Sequence, residues 1–337
     1  PGKIFAKTVI LKIDGKFAMA VDSRIELRLQ SLEDHLKIVN SVLDGIVGSF
    51  RALDRITRRI GFFTPDQSHT YRMTWWPLIS VLGTYSSGKS AFINYLLQYR
   101  LQPTGNQAVD DKFTVICYTS DTNLRVLPGL SLDADPRFPL YKISRAIDTV
   151  AQGEGRNIDN YLQLKTCSSD VLRGRILIDS PGFDADAQRA ATLRMTDHII
   201  ELSDLVLVFF DARHPEVGSM PHTLEHLVRQ TIHHRDISKF VFVLNQMDNT
   251  AREDNPEEVF AAWQRALSHC GLTAGSCFAI YNPELAVAIE DDKVRSRLER
   301  RREEGFKLIT NRMEQVAVER AYRIVGMLRE SAVSLEQ

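Results

Sequence analysis

The most informative segment of the sequence is Leu78-Ile-Ser-Val-Leu-Gly83-Thr-Tyr-Ser-Ser-Gly88-Lys89-Ser90. Its first half is a short apolar run typical of a buried strand, and residues 91–98 behind the loop have a helical pattern. A strand, a G-x-x-x-x-G-K-S loop and a helix in this order form a P-loop, in which backbone N–H groups and the helix N-terminus surround a phosphate. The sequence therefore predicts a phosphate site at residues 83–90.

The positions of this loop have separate expected roles. We expect Lys89 to contact the β- and γ-phosphates and Ser90 to ligate Mg²⁺ through its hydroxyl, so Mg²⁺ is the expected cofactor. The residues predicted to bind the nucleotide here are Gly83, Thr84, Tyr85, Ser86, Ser87, Gly88, Lys89, Ser90 and Ala91.

A second motif, Asp179-Ser-Pro-Gly182, ends the apolar segment that begins at Arg175. A D-x-x-G sequence alone is a common turn after a strand, but downstream of a P-loop it indicates a second phosphate-binding segment. We expect Asp179 to hold Mg²⁺ through water. Gly182 is expected to donate its N–H to the γ-phosphate and to act as the pivot of a switch loop.

A third motif, Asn245-Gln246-Met247-Asp248, follows an apolar strand pattern and is similar to the N-K-x-D base-recognition motif. A carboxylate at Asp248 can accept two hydrogen bonds from guanine, whereas adenine presents no matching donors. The motif therefore favours GTP. Gln246 stands in place of the usual lysine, which shortens the side chain expected over the base and removes its charge.

Composition narrows the function classes. The 337 residues suffice for two domains, and 42 Lys plus Arg against 43 Asp plus Glu give no positive excess for a nucleic-acid partner. Apolar runs fall short of the roughly 20 residues of a membrane span, and we expect no secretory signal. We expect a cytoplasmic protein with at most peripheral membrane contact. The cysteines lack the spacing of metal or redox pairs and are expected to be reduced.

Apolar runs that alternate with helical patterns predict an α/β fold, with a mostly parallel central sheet and helices on both faces. The predicted strands are 77–83, 113–119, 174–179, 204–211, 239–244 and 277–281.

Outside this region the pattern is helical. Heptad-spaced apolar residues from Ile25 to Leu53 predict one long helix that belongs to a helical bundle. We expect a short β-hairpin at 1–22, which has to pair with another molecule or with further sequence. The remaining expected regions are a bundle helix and linker at 23–74, a nucleotide-binding domain at 75–282, and C-terminal helices at 283–337 that pack with 23–60.

The chain resembles the dynamin superfamily of GTPases and, within it, the ATPases that carry EH domains. The resemblance lies in three segments: Leu82-Gly-Thr-Tyr-Ser-Ser-Gly-Lys-Ser-Ala-Phe-Ile-Asn-Tyr-Leu-Leu97, Arg125-Val-Leu-Pro-Gly-Leu-Ser-Leu-Asp-Ala-Asp-Pro-Arg-Phe-Pro139 and Asp204-Leu-Val-Leu-Val-Phe-Phe-Asp-Ala-Arg213. It implies a dynamin-type G domain on a helical bundle, a homodimer through G domains, higher self-assembly and action on membranes. GTP and GDP are the expected ligands, with ATP and ADP as the alternative because the EH-domain relatives bind ATP.

The resemblance also implies how hydrolysis of the γ-phosphate is catalysed. The family uses the P-loop serine, here Ser86, with a cation and backbone groups that become ordered when two G domains meet. Lys89 and Gly182 complete the expected catalytic set, and hydrolysis is expected to depend on dimerisation.

One family feature is missing from the sequence. A switch I threonine completes the Mg²⁺ shell in the family, but the corresponding stretch Gln107-Ala-Val-Asp-Asp111-Lys-Phe-Thr114 has none at the expected place. Asp110 is the candidate replacement, followed by Asp111, Thr104 and Thr114. The first candidate function is a mechanochemical GTPase that remodels or tethers membranes. Because the threonine is missing, a second function stays open, a nucleotide-gated scaffold with little hydrolysis. The basic run 293–302 is the one lipid-binding feature, although a solvated helix face explains it more simply.

Overall fold

The computed structural model divides into two compact units, Pro1–Trp75 with Val318–Gln337, and Trp76–Ala317. The residues that it describes are 10–13, 16–19, 23–39, 43, 45–65, 67–72, 75–104, 112–121, 123–134, 140, 143–150, 152–182, 190–214, 237–252, 256–269, 272 and 276–335.

The first unit begins with a hairpin and two helices. Strands β1 (Ile10–Ile13) and β2 (Lys16–Met19) pair antiparallel. Helices α1 (Ser23–Val39) and α2 (Ile46–Arg59) follow. The prediction of one long helix was wrong, because Gly45 before α2 has a φ of 76°, in the left-handed region that a right-handed helix excludes.

The heptad pattern nevertheless marks the core of this unit. Buried side chains of the predicted seam are Ile25, Leu29, Leu36, Leu43, Ile46, Phe50 and Leu53. The ring of Phe50 also packs edge-on against Trp75, with ring centroids 5.6 Å apart. The pattern therefore identified the buried face correctly but not the interruption of the helix.

The second unit is built on an eight-stranded sheet. Its strands are β3 (Leu78–Gly83), β4 (Phe113–Tyr118), β5 (Arg125–Pro128), β6 (Leu162–Cys167), β7 (Ile176–Asp179), β8 (Leu205–Asp211), β9 (Phe240–Asn245) and β10 (Ser276–Ala279). Their order is β10-β9-β8-β3-β7-β4-β6-β5, with antiparallel pairing at β7–β4 and β6–β5 and parallel pairing elsewhere. The predicted mostly parallel sheet is confirmed, while β5 and β6 were not predicted.

Helices cover both faces of this sheet. They are α3 (Lys89–Leu97), α4 (Leu130–Ala134), α5 (Ile143–Val150), α6 (Ala190–Leu202), α7 (Pro256–His269) and α8 (Asp292–Val333). On β3, Ile79 and Val81 pack with α3 and the middle of α8, whereas Leu78 packs in the cluster that includes α5 and α6. Alternate residues of a strand point to opposite faces, so helices pack against both faces of this mostly parallel sheet. The predicted α/β fold class is therefore confirmed.

The C-terminal region is one helix rather than several, since α8 runs unbroken for 42 residues. Its side chains Ile309, Met313 and Val316 are buried in the second unit. Within the part of the chain that the structure describes, no helix combines the length and the apolar character needed to cross a membrane.

Candidate nucleotide-binding site

The three motifs meet at one edge of the sheet. Gly83, Asp179 and Asn245 are the last residues of β3, β7 and β9. These strands run parallel with β8 between β3 and β9, so their carboxyl ends point the same way. In parallel sheets this edge is where ligands bind.

The P-loop connects β3 to α3 in a conformation that particular residues make possible. Gly88, with a φ of 81°, is the N-cap of α3. At Gly83 a Cβ atom would lie 2.4 Å from the main-chain oxygen of Phe209, so no side chain fits between β3 and β8. Ser86 adopts a φ of 58°, which is unusual for a residue other than glycine and is typical of functional loops.

Lys89 is buried within this loop. Its ammonium donates to the carbonyl oxygens of Gly83 and Thr84, both at 3.0 Å. Burial lowers the pKa of Lys89 to about 8, and the nearby carboxylate of Asp179 acts in the opposite direction. A phosphate in the loop would therefore meet a largely desolvated cation.

The Ser90 side chain at the start of α3 lies close to the Asp179 side chain at the end of β7. The hydroxyl of Ser90 lies 3.5 Å from the Oδ2 atom of Asp179. A hydroxyl and a carboxylate are the oxygen ligands that Mg²⁺ prefers, so the residues present fit this ion. A hydrogen-bonded pair that no motif indicated, Gln102 and Lys165, extends from the same carboxylate. Gln102 donates to Oδ2, and Lys165 donates to Gln102.

The switch segments are only partly described. Asp110 and Asp111 lie outside the described residues. Thr104 is exposed, and Thr114 is buried in β4, where its hydroxyl accepts a hydrogen bond from the Gln163 amide at 2.8 Å. Among the described residues, neither threonine therefore makes a contact with Ser90.

Gly182 lies against the P-loop. A Cβ atom at this position would be 2.9 Å from the Cα atom of Tyr85. The D-x-x-G turn and the P-loop thus approach each other closely at a point where the glycine leaves room. The residues that follow Gly182, 183–189, lie outside the described ranges.

The predicted base motif also holds the P-loop. Asn245 donates through Nδ2 to the carbonyl oxygen of Ser87 at 2.8 Å, and Gln246 donates through Nε2 to that of Ser86 at 2.6 Å. Gln246 has a φ of 66°, so residues in left-handed conformation stand on both sides of this contact. The amide of Gln246 is directed at the loop backbone.

Asp248 is buried beside these residues. Its Oδ2 atom accepts a hydrogen bond from the main-chain N–H of Val287 at 3.0 Å. Burial raises the pKa of Asp248, while backbone hydrogen bonds and the charge of Arg213 act in the opposite direction. Val287 was not predicted as a site residue, because a main-chain donor leaves no pattern in the sequence.

The motifs thus form one continuous surface. The P-loop can surround a phosphate, Ser90 and Asp179 can hold a divalent cation, and the Asp248 carboxylate can accept hydrogen bonds. The arrangement suits a nucleotide with its phosphates at the P-loop and its base beyond Asn245.

Comparison with known proteins gives a family match. The model of a family described as the dynamin family matches residues 79–247, which is half of the chain. Human EH domain-containing protein 2 is 29% identical over 152 residues, 42% of this chain and 26% of that protein. EH domain-containing protein 1 of Bos taurus is 24% identical over 179 residues, 51% of this chain and 31% of that protein.

The chain thus spans between 26% and 31% of the length of these relatives. Among solved structures, an oligomerised bacterial dynamin pair, described as a mechanism for long-range sensing and tethering of membranes, aligns with a TM-score of 0.49 at 13% identity. That alignment covers 93% of this chain and 47% of the other.

Proposed function

This chain belongs to the dynamin family, and from that premise we propose that it is a nucleotide-dependent mechanochemical GTPase. The observation that carries the proposal is the Lys89 ammonium inside the P-loop, together with the short distance between the Ser90 hydroxyl and the Asp179 carboxylate. Those groups are the ones that phosphoryl transfer by P-loop proteins requires.

In the proposed mechanism each residue acts on a separate part of the nucleotide. Lys89 and the P-loop N–H groups bind the β- and γ-phosphates, and Gly182 donates its N–H to the γ-phosphate. Mg²⁺ held by Ser90 and, through water, by Asp179 would neutralise charge on the phosphates. Ser86 contributes to the transition state when two G domains meet, so hydrolysis requires dimerisation.

GTP is the proposed nucleotide because Asp248 presents a buried carboxylate at the base side of the site. A carboxylate in a dry environment discriminates strongly between guanine, which donates, and adenine, which does not. ATP is the alternative, in keeping with the relatives that carry EH domains.

A second candidate function is a nucleotide-gated scaffold with little hydrolysis. It is favoured by the position of Thr114, whose hydroxyl is hydrogen-bonded to Gln163 within the sheet. A switch I threonine has to reach the cation and the attacking water, which a residue inside a strand is poorly placed to do. Self-assembly and peripheral contact with membranes, proposed on family membership, are compatible with either function.

Two measurements test the proposal. Titration of the protein with fluorescent GDP and GTP analogues, in buffer that contains Mg²⁺, is expected to show saturable binding. Lys89→Ala should abolish this binding, whereas the control variant Lys239→Met should keep it. Lys239 is another buried lysine, but its ammonium donates to the Ile200 carbonyl oxygen. Single-turnover hydrolysis is then followed at rising protein concentration.

The two candidate functions differ in the second measurement. A rate per molecule that climbs with protein concentration supports a dimerisation-dependent GTPase. A flat and negligible rate together with tight binding supports the scaffold instead. Absence of nucleotide binding by the unmodified protein would refute both.

A further inference from the structure

Three buried polar side chains form a connected row behind the proposed metal site. The ammonium of Lys165 on β6 donates to Oε1 of Gln102 at 2.6 Å, and Nε2 of Gln102 donates to Oδ2 of Asp179 at 2.6 Å. The exposed fractions of the three residues are 7%, 3% and 5%. Neither Lys165 nor Gln102 belongs to any of the three sequence motifs.

The chemistry of the two ends fixes the orientation of the Gln102 amide. An ammonium only donates hydrogen bonds and a carboxylate only accepts them, so the amide oxygen has to face Lys165 and the amide nitrogen has to face Asp179. A flipped amide would set donor against donor and acceptor against acceptor in a buried place, where unmatched polar groups are costly. The row therefore has a single stable arrangement.

The main chain of Gln102 is held just as firmly. Oδ1 of Asn94 accepts hydrogen bonds from the N–H groups of Leu101 at 3.0 Å and Gln102 at 2.8 Å. Nδ2 of Asn94 donates to the carbonyl oxygen of Gln102 at 2.8 Å. Asn94 lies on α3, the helix that begins with Lys89 and Ser90, so one helix carries the P-loop residues and also positions Gln102.

We infer that Gln102 and Lys165 are positioning residues for Asp179 and that they thereby set the affinity of the site for Mg²⁺. The Oδ2 atom that Gln102 contacts is also the one that faces the Ser90 hydroxyl, so the hydrogen bond fixes the carboxylate in the orientation that the cation needs. The inference rests on the proposed nucleotide-binding function. Partners of metal-holding groups typically contribute 10- to 100-fold to metal affinity.

The test measures how much Mg²⁺ is needed to retain a fluorescent GDP analogue, together with thermal unfolding in the absence of nucleotide. Gln102→Met keeps the length of the side chain but removes both hydrogen bonds, and we expect the Mg²⁺ midpoint to rise about 10-fold. Lys165→Met should also raise the Mg²⁺ midpoint. Lys165→Arg keeps a cationic donor, so its Mg²⁺ midpoint should be closer to that of the unmodified protein. Lys239→Met is the control for loss of a buried lysine, and its midpoint should not change.

Each outcome decides the matter. Folded variants with an unchanged Mg²⁺ midpoint would overturn the inference, even if their unfolding temperature falls, because that result describes a purely structural role. If Gln102→Met fails to fold, Lys165→Met, which keeps the hydrogen bond from Gln102 to Asp179, is measured in its place and the same criterion applies. Nucleotide retention by the unmodified protein that does not depend on Mg²⁺ would overturn this inference alone, whereas absence of nucleotide binding would overturn the proposed function and this inference with it.

Discussion

The side-chain amide of Asn245 lies directly on the P-loop, where it donates to the carbonyl oxygen of Ser87 and would be 2.4 Å from a Cβ atom at Gly88. The end of β9 and the phosphate-binding loop are therefore in contact at a position that only glycine leaves open. A change at the base side of the site consequently alters the phosphate side as well.

Asn245→Ala is expected to weaken GTP and ATP to a similar extent. The substitution removes a hydrogen bond that supports the P-loop, and one such bond contributes about 1 kcal/mol, or roughly fivefold in affinity. Titration of both nucleotides by fluorescence measures the effect. A loss confined to GTP would show that Asn245 acts on the base and not through the loop.

Asp248→Ala is expected to weaken GTP and to leave ATP nearly unchanged. A bidentate contact to a base contributes about 2 kcal/mol of discrimination, or roughly 30-fold. The same titration provides the measurement, with Asn245→Ala as the matched comparison because it should not discriminate. Equal affinity of the unmodified protein for GTP and ATP would contradict the guanine assignment.

Ser86→Ala is expected to slow hydrolysis without loss of nucleotide binding. The side chain of Ser86 is exposed, so its removal disturbs little of the folded protein. Single-turnover rates at high protein concentration should fall, while the dissociation constant for GDP stays the same. An unchanged rate would exclude Ser86 from the reaction.

Gly88→Ala is expected to destabilise the protein and to impair nucleotide binding. A φ of 81° is left-handed, which costs a residue with a side chain about 1 to 2 kcal/mol, and the contact with Asn245 adds to the cost. Thermal unfolding measures the change. Gly48→Ala is the matched control, since Gly48 lies inside α2 with open space around it. This substitution should raise the free energy of unfolding by about 1 kcal/mol. Similar shifts in the two variants would contradict this account.

Three thiols are expected to resist alkylation at pH 8. Burial raises the pKa of Cys117 to about 12, with a further contribution from nearby Cys167, and burial raises the pKa values of Cys167 and Cys277 too. A raised pKa lowers the thiolate fraction at a given pH, and the thiolate is the reactive form. Peptide mapping after iodoacetamide treatment, with and without denaturant, tests this. Rapid labelling of Cys117 in the folded protein would contradict it.

The parts of the fold that were predicted are those with a strong local pattern. Strands β3, β8 and β9 are buried on both faces, so they appear in the sequence as continuous apolar runs. In contrast, β5 is short and exposed at the edge of the sheet, and β6 is only partly buried. Because both strands have exposed or half-buried positions that polar residues can occupy, neither appears as a continuous apolar run, and the sequence did not reveal them.

The same distinction applies to the site. The P-loop, the D-x-x-G turn and the Asn245 motif are continuous in sequence, so their residue types and spacing were sufficient to find them. Gln102 reaches Asp179 because Asn94 holds its main chain, and Lys165 reaches Gln102 because β6 pairs with β4. Such a contact depends on tertiary packing and has no counterpart in local sequence.

The hydrogen bond from Val287 to Asp248 has a consequence for mutagenesis. The donor is a main-chain group, so alanine scanning would pass over position 287 without effect even if the contact shapes the base side of the site. Proline alone among the natural residues deletes that donor. Amide hydrogen exchange can detect this hydrogen bond without any substitution, because a hydrogen-bonded N–H exchanges with solvent more slowly than a free one.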